Sequence, residues 1–399
     1  MRKILLLLVT VLGTLVASAQ EVAKSNQSES NYEELSTRLS KQEKRLATLE
    51  KVRQYAKLSG FMQAQYDWTE DAEGNEKTGT STFHLRRVRF TIAGDLYRGE
   101  KGAKLDYRVY FDLCRVPKNP ILDMWIRYQP VKEFGVQLGQ FKNPVTFEAS
   151  ISPSKYDFID FSYVVSNLAK MSANDVAGLN VTARDIGFQL FGGFVHRDGY
   201  SVINYNVGLL NGSGINTKDD NKAKDIFGKL TIKPSKDLAF AAYYQWGNAN
   251  LSGFEAEKYA EYGWTGNAEE VTTHRWGGGF NYDAKHGFAR GEYIGGLTGK
   301  LASEGVYVEG GYRHHLPKNA GMLWAGGMVD YFCRNCFDYI HRDTKNAVID
   351  MRYSVCLGYE PFKYLRMQLA YSLEHKINHT FTNNSKFGSG VKFMITAAF

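Results

Sequence analysis

From residue 58 to residue 399, apolar side chains recur at every second position in segment after segment, and that period restricts the chain to β-structure. In 104–113, Leu105, Tyr107, Val109, Phe111 and Leu113 share one face, while Lys104, Asp106, Arg108, Tyr110 and Asp112 share the other. In 122–129, Leu122, Met124, Ile126 and Tyr128 alternate with Asp123, Trp125, Arg127 and Gln129. The same period runs through 82–97, 347–359 and 364–373. A soluble β-sandwich also alternates, so the period alone leaves two architectures. Charges on the polar face sit deep in mid-strand, which suits a wet lumen. The apolar face ends repeatedly in Tyr or Trp, which suits a membrane interface.

Composition supports the membrane alternative. Aromatic residues make up 14% of the chain and Gly numbers 39, yet the mean hydropathy is only −0.37. No stretch after residue 19 is apolar enough for a spanning helix, which excludes a polytopic helical protein. A hydrophobic share of 43% argues against disorder. A transmembrane β-barrel keeps an ordinary mean hydropathy because its two faces cancel.

The connections point the same way. Sixteen strand-like segments can be placed between 58 and 399, and the links between them alternate long and short. Long links run over 69–81, 143–184 and 248–271; short ones fall at 98–103, 196–200, 234–235, 283–286 and 360–361. Long external loops and short periplasmic turns are the pattern of an outer-membrane barrel. The expected fold is all-β: a 16-stranded antiparallel transmembrane β-barrel with a short N-terminal helical segment. An even strand number puts both barrel ends on the periplasmic side. The last strand ends Val391-Lys392-Phe393-Met394-Ile395-Thr396-Ala397-Ala398-Phe399, and its terminal Phe resembles the signal read by the barrel-assembly machinery.

The start of the chain reads as an export signal. Arg2 and Lys3 precede an apolar run from Ile4 to Val16, and Ala17-Ser18-Ala19 fits a small-x-small cleavage site. Removing 1–19 takes two cations from the formal charge of +7. The remaining weak, unclustered basicity does not suit a nucleic-acid binder. The segment 20–57 reads as a periplasmic helix: residues 31–57 lack Gly and Pro, and Tyr32, Leu35, Leu39, Gln42, Leu46, Leu49, Arg53 and Ala56 alternate three and four apart. Fewer than four heptads make a weak coiled coil alone, so this helix is either a clamp within a larger assembly or an amphipathic helix packed on something else.

Four short motifs then occur in order. They are Phe83-His84-Leu85-Arg86-Arg87-Val88-Arg89, Ile121-Leu122-Asp123-Met124-Trp125, Gly139-Gln140-Phe141-Lys142-Asn143-Pro144 followed by Phe147-Glu148, and Arg184-Asp185-Ile186-Gly187. Together they resemble the phosphate-selective porin O and P family. The resemblance implies a sixteen-stranded trimeric barrel, a third loop folded into the pore, and basic residues that guide small anions such as phosphate. It also implies contact with outer-membrane lipid and lipopolysaccharide, and no cofactor or metal.

The residues supply their own version of that pore. Arg87, Arg89, Arg108 and Arg127 fall on the inward face of successive strands, and strands about 4.8 Å apart could line them into one cationic strip. Arg stays charged and donates to oxyanions in pairs. The 143–184 link adds Lys155 and Lys170, with Lys142 and Arg184 at its feet; its length suits a constriction folded into the lumen. Asp95, Asp106, Asp112 and Asp123 share that face, and Asp157, Asp160 and Asp175 lie in the loop. Two outcomes follow: a strip that selects anions, or a cross-strand ion-pair network that stiffens the wall and focuses little net field.

Other constellations are thinner. Cys333-Arg334-Asn335-Cys336 in an oxidising compartment reads as a local disulfide, and with His341 as an incomplete metal site. Cys114 and Cys356 read as unpaired or packed. A barrel hydrolase would need a Ser–His pair on adjacent strands, and His84 and His274 offer no Ser marked by a motif. An adhesin would show longer external loops.

Overall fold

The computed structural model describes residues 28–73, 76–116, 119–170, 183–219, 222–250, 270–299, 301–336, 347–378 and 383–399. The expected signal segment 1–19, Asp175 and His341 lie outside the described residues. The chain forms two compact units, Met1–Ala56 and Lys57–Phe399. The first contains helix α1 (Ser28–Tyr55), which starts three residues before the helix read from the sequence. Leu35, Leu39 and Leu46, all on the heptad seam, are exposed on it.

The second unit is a closed barrel of sixteen strands among the described residues. In chain order, β1 is Lys57–Glu73, β2 Glu76–Arg98, β3 Lys104–Asp112, β4 Ile121–Val131, β5 Phe134–Lys142, β6 Arg184–Arg197, β7 Tyr200–Leu210 and β8 Asp225–Ile232. Then β9 is Leu238–Asn250, β10 Glu270–Asp283, β11 Gly287–Thr298, β12 Leu301–His315, β13 Met322–Arg334, β14 Val348–Phe362, β15 Leu365–Ile377 and β16 Ser385–Ala398. Each strand pairs antiparallel with its neighbours in the chain, and β1 pairs with β16. The seam is sealed where Gly60 N donates to Phe399 O at 3.1 Å and Phe399 N donates to Gly60 O at 2.9 Å. Closure leaves no strand edge, which is what hydrocarbon demands of a backbone with no water to bond.

The alternation read from the sequence is the inside–outside alternation of the wall. Met124, Ile126 and Tyr128 of β4 are exposed on the outer surface, whereas Asp123 is buried in the interior. Turns between β2–β3, β4–β5 and so on define a near rim, which also holds the start of β1 and the end of β16. The opposite, far rim carries the connections that follow β1, β3, β5 and so on, the longest ones among them. The third of these, residues 143–183 (L3), holds two short helices, α2 (Phe147–Ser150) and α3 (Tyr163–Leu168).

Three departures from the expected boundaries have local causes. The 69–81 link is not a loop: the β1–β2 ladder continues to Glu73 opposite Glu76, carried by hydroxyl pairs such as Thr69–Thr80 at 2.7 Å. At the other end, β14 continues past the 360–361 turn site to Phe362, and the turn falls at 363–364. Pro361 has no N–H to give, so the ladder is merely interrupted between Tyr359 and Phe362. The third departure is the thiol pair. Cys333 and Cys336 are both free and buried, so the expected disulfide is not formed. Cys333 keeps its ladder place opposite Ile349, and the chain runs on extended through Arg334 before turning at Asn335. That geometry packs the thiols beside Ala302 and Ile349 instead of bridging them. Cys114 is free and exposed, and Cys356 is free and packed with Trp324 and Phe158.

Candidate functional site: a cationic constriction

The described part of L3 crosses the barrel interior and is fixed to the wall by its own acids. Asp157 receives Arg313 of β12 at 2.7 Å and Arg366 of β15 at 2.8 Å, while its carbonyl receives Trp324 and Gln368, each at 3.1 Å. Asp160 receives Arg86 of β2 at 2.8 Å and Lys392 of β16 at 2.5 Å. Although burial opposes it, these two cations hold the Asp160 carboxyl well below the usual range. Arg352 of β14 donates to Phe161 O and to Asp330, and Asp330 accepts from Tyr163 N at 2.6 Å.

Glycine in the wall makes room for this. A Cβ at Gly305 would lie 2.9 Å from Val164 of α3, and one at Gly358 would lie 1.9 Å from the Trp324 ring. Val164, Val165 and Leu168 then pack with Phe141, Ile294 and Phe332 into an apolar cluster inside the barrel. Loop and wall therefore form one solid body along β11–β15.

The stretch β1–β5 of the wall carries the cations expected from the sequence. A register shift between Gln63 and Ala64 leaves Arg86 unpaired in the ladder, so Arg86 and Arg87 both turn to the interior. Arg87 donates to Gln63 Oε1 at 2.9 Å. Arg89 pairs with Asp112 at 2.7 Å, Arg127 with Asp106 at 2.6 Å, and Arg184 with Asp123 at 2.6 Å. Arg108 is a looser partner of Asp123 at 3.5 Å. The Tyr110 ring organises three of these: the guanidinium carbons of Arg108, Arg89 and Arg184 lie 4.6, 5.7 and 5.7 Å from its centroid. Arg127 lies 5.0 Å from the Trp125 centroid and 5.6 Å from that of Phe191.

The loop residues divide. Lys142 extends to Ile151 O of L3 at 3.5 Å, in the electrostatic field of Arg184, Asp123, Arg89 and Arg87. Lys155 is exposed on L3, two residues past Pro153, whose carbonyl receives Gln63 at 3.1 Å. Lys170 is turned away from this group and pairs with Asp225 at 3.0 Å. Asp112 and Asp123 are both buried in the pairs just described.

Sequence reasoning did not single out Arg115. It ends the short 3-10 turn Leu113–Arg115 after β3, and burial followed by the nearby Arg89 and Arg184 pushes it below its ordinary value. Nor did it foresee that Arg313, Arg352, Arg366 and Lys392 would seat the loop. The adjacent pair Arg86-Arg87 was the available signal: a doublet of one type inside an alternating strand marks a bulge.

A smaller polar group lies at the near rim, where His196 contacts Ser201 at 2.9 Å and Glu133 at 2.6 Å. The trio is solvent-exposed and ties the β4–β5 and β6–β7 turns together.

A closed barrel with a loop folded into its interior and arginines along β1–β5 is a channel with a constriction. The same architecture is found in solved outer-membrane proteins. The anion-selective porin of Comamonas acidovorans is 10% identical with a TM-score of 0.57, over 86% of this chain and 99% of that one. OprB of Pseudomonas putida is 10% identical at 0.57, over 88% and 96%. A trimer form of OmpT from Vibrio cholerae is 12% identical at 0.54, over 85% and 99%. At such identities the likeness is one of fold. No curated protein matches the chain. The sequence profile of phosphate-selective porin O and P matches residues 57–390. Nearly the whole barrel is thus accounted for, and the chain belongs to the phosphate-selective porin O and P family, as a channel of the Gram-negative outer membrane.

Proposed function

We propose that this channel passes small anions, phosphate among them, in preference to cations. The observation that supports the reading is an excess of positive charge at the constriction. Arg87, Arg89, Arg108, Arg115, Lys142 and Arg184 surround Tyr110 and the loop foot, against the carboxylates of Asp112 and Asp123. Among the described residues, Arg87 and Lys142 donate to an amide and a carbonyl and form no ion pair. A field from unneutralised cations in a narrow, low-dielectric passage concentrates anions there. A weakly selective channel is the second reading, favoured by the pairs that neutralise Arg89, Arg127 and Arg184. Bilayer recordings in a chloride gradient separate the two. The expected reversal potential lies on the anion side, and added phosphate reduces the chloride current. A reversal potential on the cation side overturns the reading.

The proposed assembly is a homotrimer, by analogy with the OmpT trimer form. Residues 1–19 serve as a cleaved export signal, the near rim faces the periplasm, and α1 lies there as a three-chain clamp through Leu35, Leu39 and Leu46. Phe399, 63% exposed, is the contact for the barrel-assembly machinery, and the apolar outer wall meets lipid and lipopolysaccharide. Deleting residues 20–55 is expected to lower the temperature at which the trimer dissociates on a gel while leaving single-channel conductance unchanged. An unaltered dissociation temperature removes the clamp.

A further inference from the structure

The root of L3 holds more acid than base, sealed from water. Glu148 of α2, Glu292 of β11 and Glu309 of β12 are 0, 2 and 1% exposed, and Tyr156 between them is 2% exposed. We propose that one proton shared along Glu148–Tyr156–Glu309 latches the constriction loop to the wall, so that channel closure responds to pH.

Proton counting requires it. The Tyr156 hydroxyl lies 2.6 Å from Glu309 Oε2 and also makes a short contact with Glu148 Oε1. A phenol has one hydrogen to donate. If both carboxyls were ionised, one of the two contacts would press lone pair against lone pair in a dry site. A second proton is therefore present. Arg290 of β11 donates to Glu309, which marks that carboxyl as the ionised one. Glu148 already accepts from Ser162 N at 2.9 Å and Ser162 Oγ at 2.6 Å. Its remaining Oε1 contact carries the proton: Glu148 donates to Tyr156, and Tyr156 donates to Glu309.

Among the described residues Glu148 has no ion-pair partner: Arg290 feels its charge but is taken by Glu309. Glu292 accepts from Phe147 N at 2.8 Å, Glu148 N at 3.0 Å and the Tyr307 hydroxyl of β12 at 2.8 Å. From β9, Tyr243 faces Glu292 and Glu148. From β8, Lys229 faces Glu292 and donates to Pro144 O at 2.8 Å. Asp157 approaches Glu309 but is occupied by Arg313 and Arg366, and Asp330 of β13 is occupied by Arg352. Burial, then the Glu309 carboxylate, pushes the Glu148 carboxyl up to about 8.

The sign follows. The docked loop keeps Glu148 protonated, whereas a released loop exposes an ordinary carboxyl. The latch is at full strength below the ordinary carboxyl value and is lost as pH rises through about 8. This inference needs only that the barrel conducts; it does not depend on anion preference.

Single-channel recordings at pH 5, 7 and 9 test it, with the reversal potential measured alongside to register lysine titration separately. Closures of the wild-type channel are expected to become about tenfold more frequent from pH 5 to pH 9, as the latch loses its proton. In Glu148→Gln the amide N–H replaces the titrating proton, so closures at pH 9 stay at the wild-type pH 5 level. Tyr156→Phe removes the bridging hydroxyl and is expected to close often at every pH. Equal closure frequency at pH 5 and pH 9 in the wild type overturns the proposal. So does a full pH step surviving in Glu148→Gln or, should that variant fail to insert, in Tyr156→Phe.

Discussion

Replacing Arg87 and Lys142 together by alanine is expected to lower the anion preference sharply while leaving the barrel intact. Among the described residues neither side chain forms an ion pair, so neither leaves a buried carboxylate behind. Their removal takes two unneutralised charges from the constriction and leaves Arg108 and Arg115 beside pairs that cancel: Arg89 with Asp112, Arg184 with Asp123, Arg127 with Asp106. The permeability ratio of chloride to potassium should fall several-fold toward unity in low salt. The same comparison in 1 M salt should show a much smaller change, because the Debye length there is about 3 Å. Arg89→Ala is the instructive contrast. It uncovers Asp112 in a buried site, and an unpaired buried charge costs about 3–5 kcal/mol. A loss of folded protein is then expected before any loss of selectivity. Should the double variant keep the wild-type reversal potential, selectivity does not arise at this wall.

The inward arginines were legible in the sequence because alternation assigns faces without needing a partner. Arg108 and Arg127 sit where their strands' period places them. What the period does not carry is charge compensation. Asp106 could face Lys104, Arg127 or water, and only the register of β3 against β4 puts it opposite Arg127. Bulges broke the assignment locally. Leu122 belongs by alternation to the lipid face, but it sits at an irregularity between Tyr110 and Phe111 and packs inside with Phe61, Tyr110 and Ile215. The loop was legible in length and not in direction. Nothing along 143–184 says that Asp157 and Asp160 would meet cations from strands that begin some 130 residues later or more. Lys170 was misplaced for the same reason: its partner, Asp225, opens a strand whose distance in sequence hides its nearness in space.

The second large effect concerns the fastening of that loop. Asp157→Ala is expected to free L3 without opening the barrel. Arg313 would keep its rim partner Asp283 at 2.5 Å, but among the described residues Arg366 has only the Trp324 ring, 4.0 Å away, to replace the lost carboxylate. Stranding a buried guanidinium costs about 3–5 kcal/mol. The variant should still shift on heating in a gel, since the β-ladder is untouched. Protease should now cut within L3, and the conductance should scatter over several levels in place of one. Asp157→Asn keeps the acceptor oxygen and should lie between the two. Protease resistance equal to wild type in Asp157→Ala would mean that the apolar cluster around Val164 and Leu168 holds the loop by itself.

The glycines under L3 carry a consequence for how such channels diversify. At Gly358 a methyl group would meet Trp324, and at Gly305 it would meet Val164. A change of wall residue there is tolerated only with a matching change in what leans on it. Loop and wall are in this sense a single inheritable unit. An L3 transplanted from another barrel would arrive shaped for a different floor, and a chimera meant to exchange permeability would have to exchange β11–β15 with it.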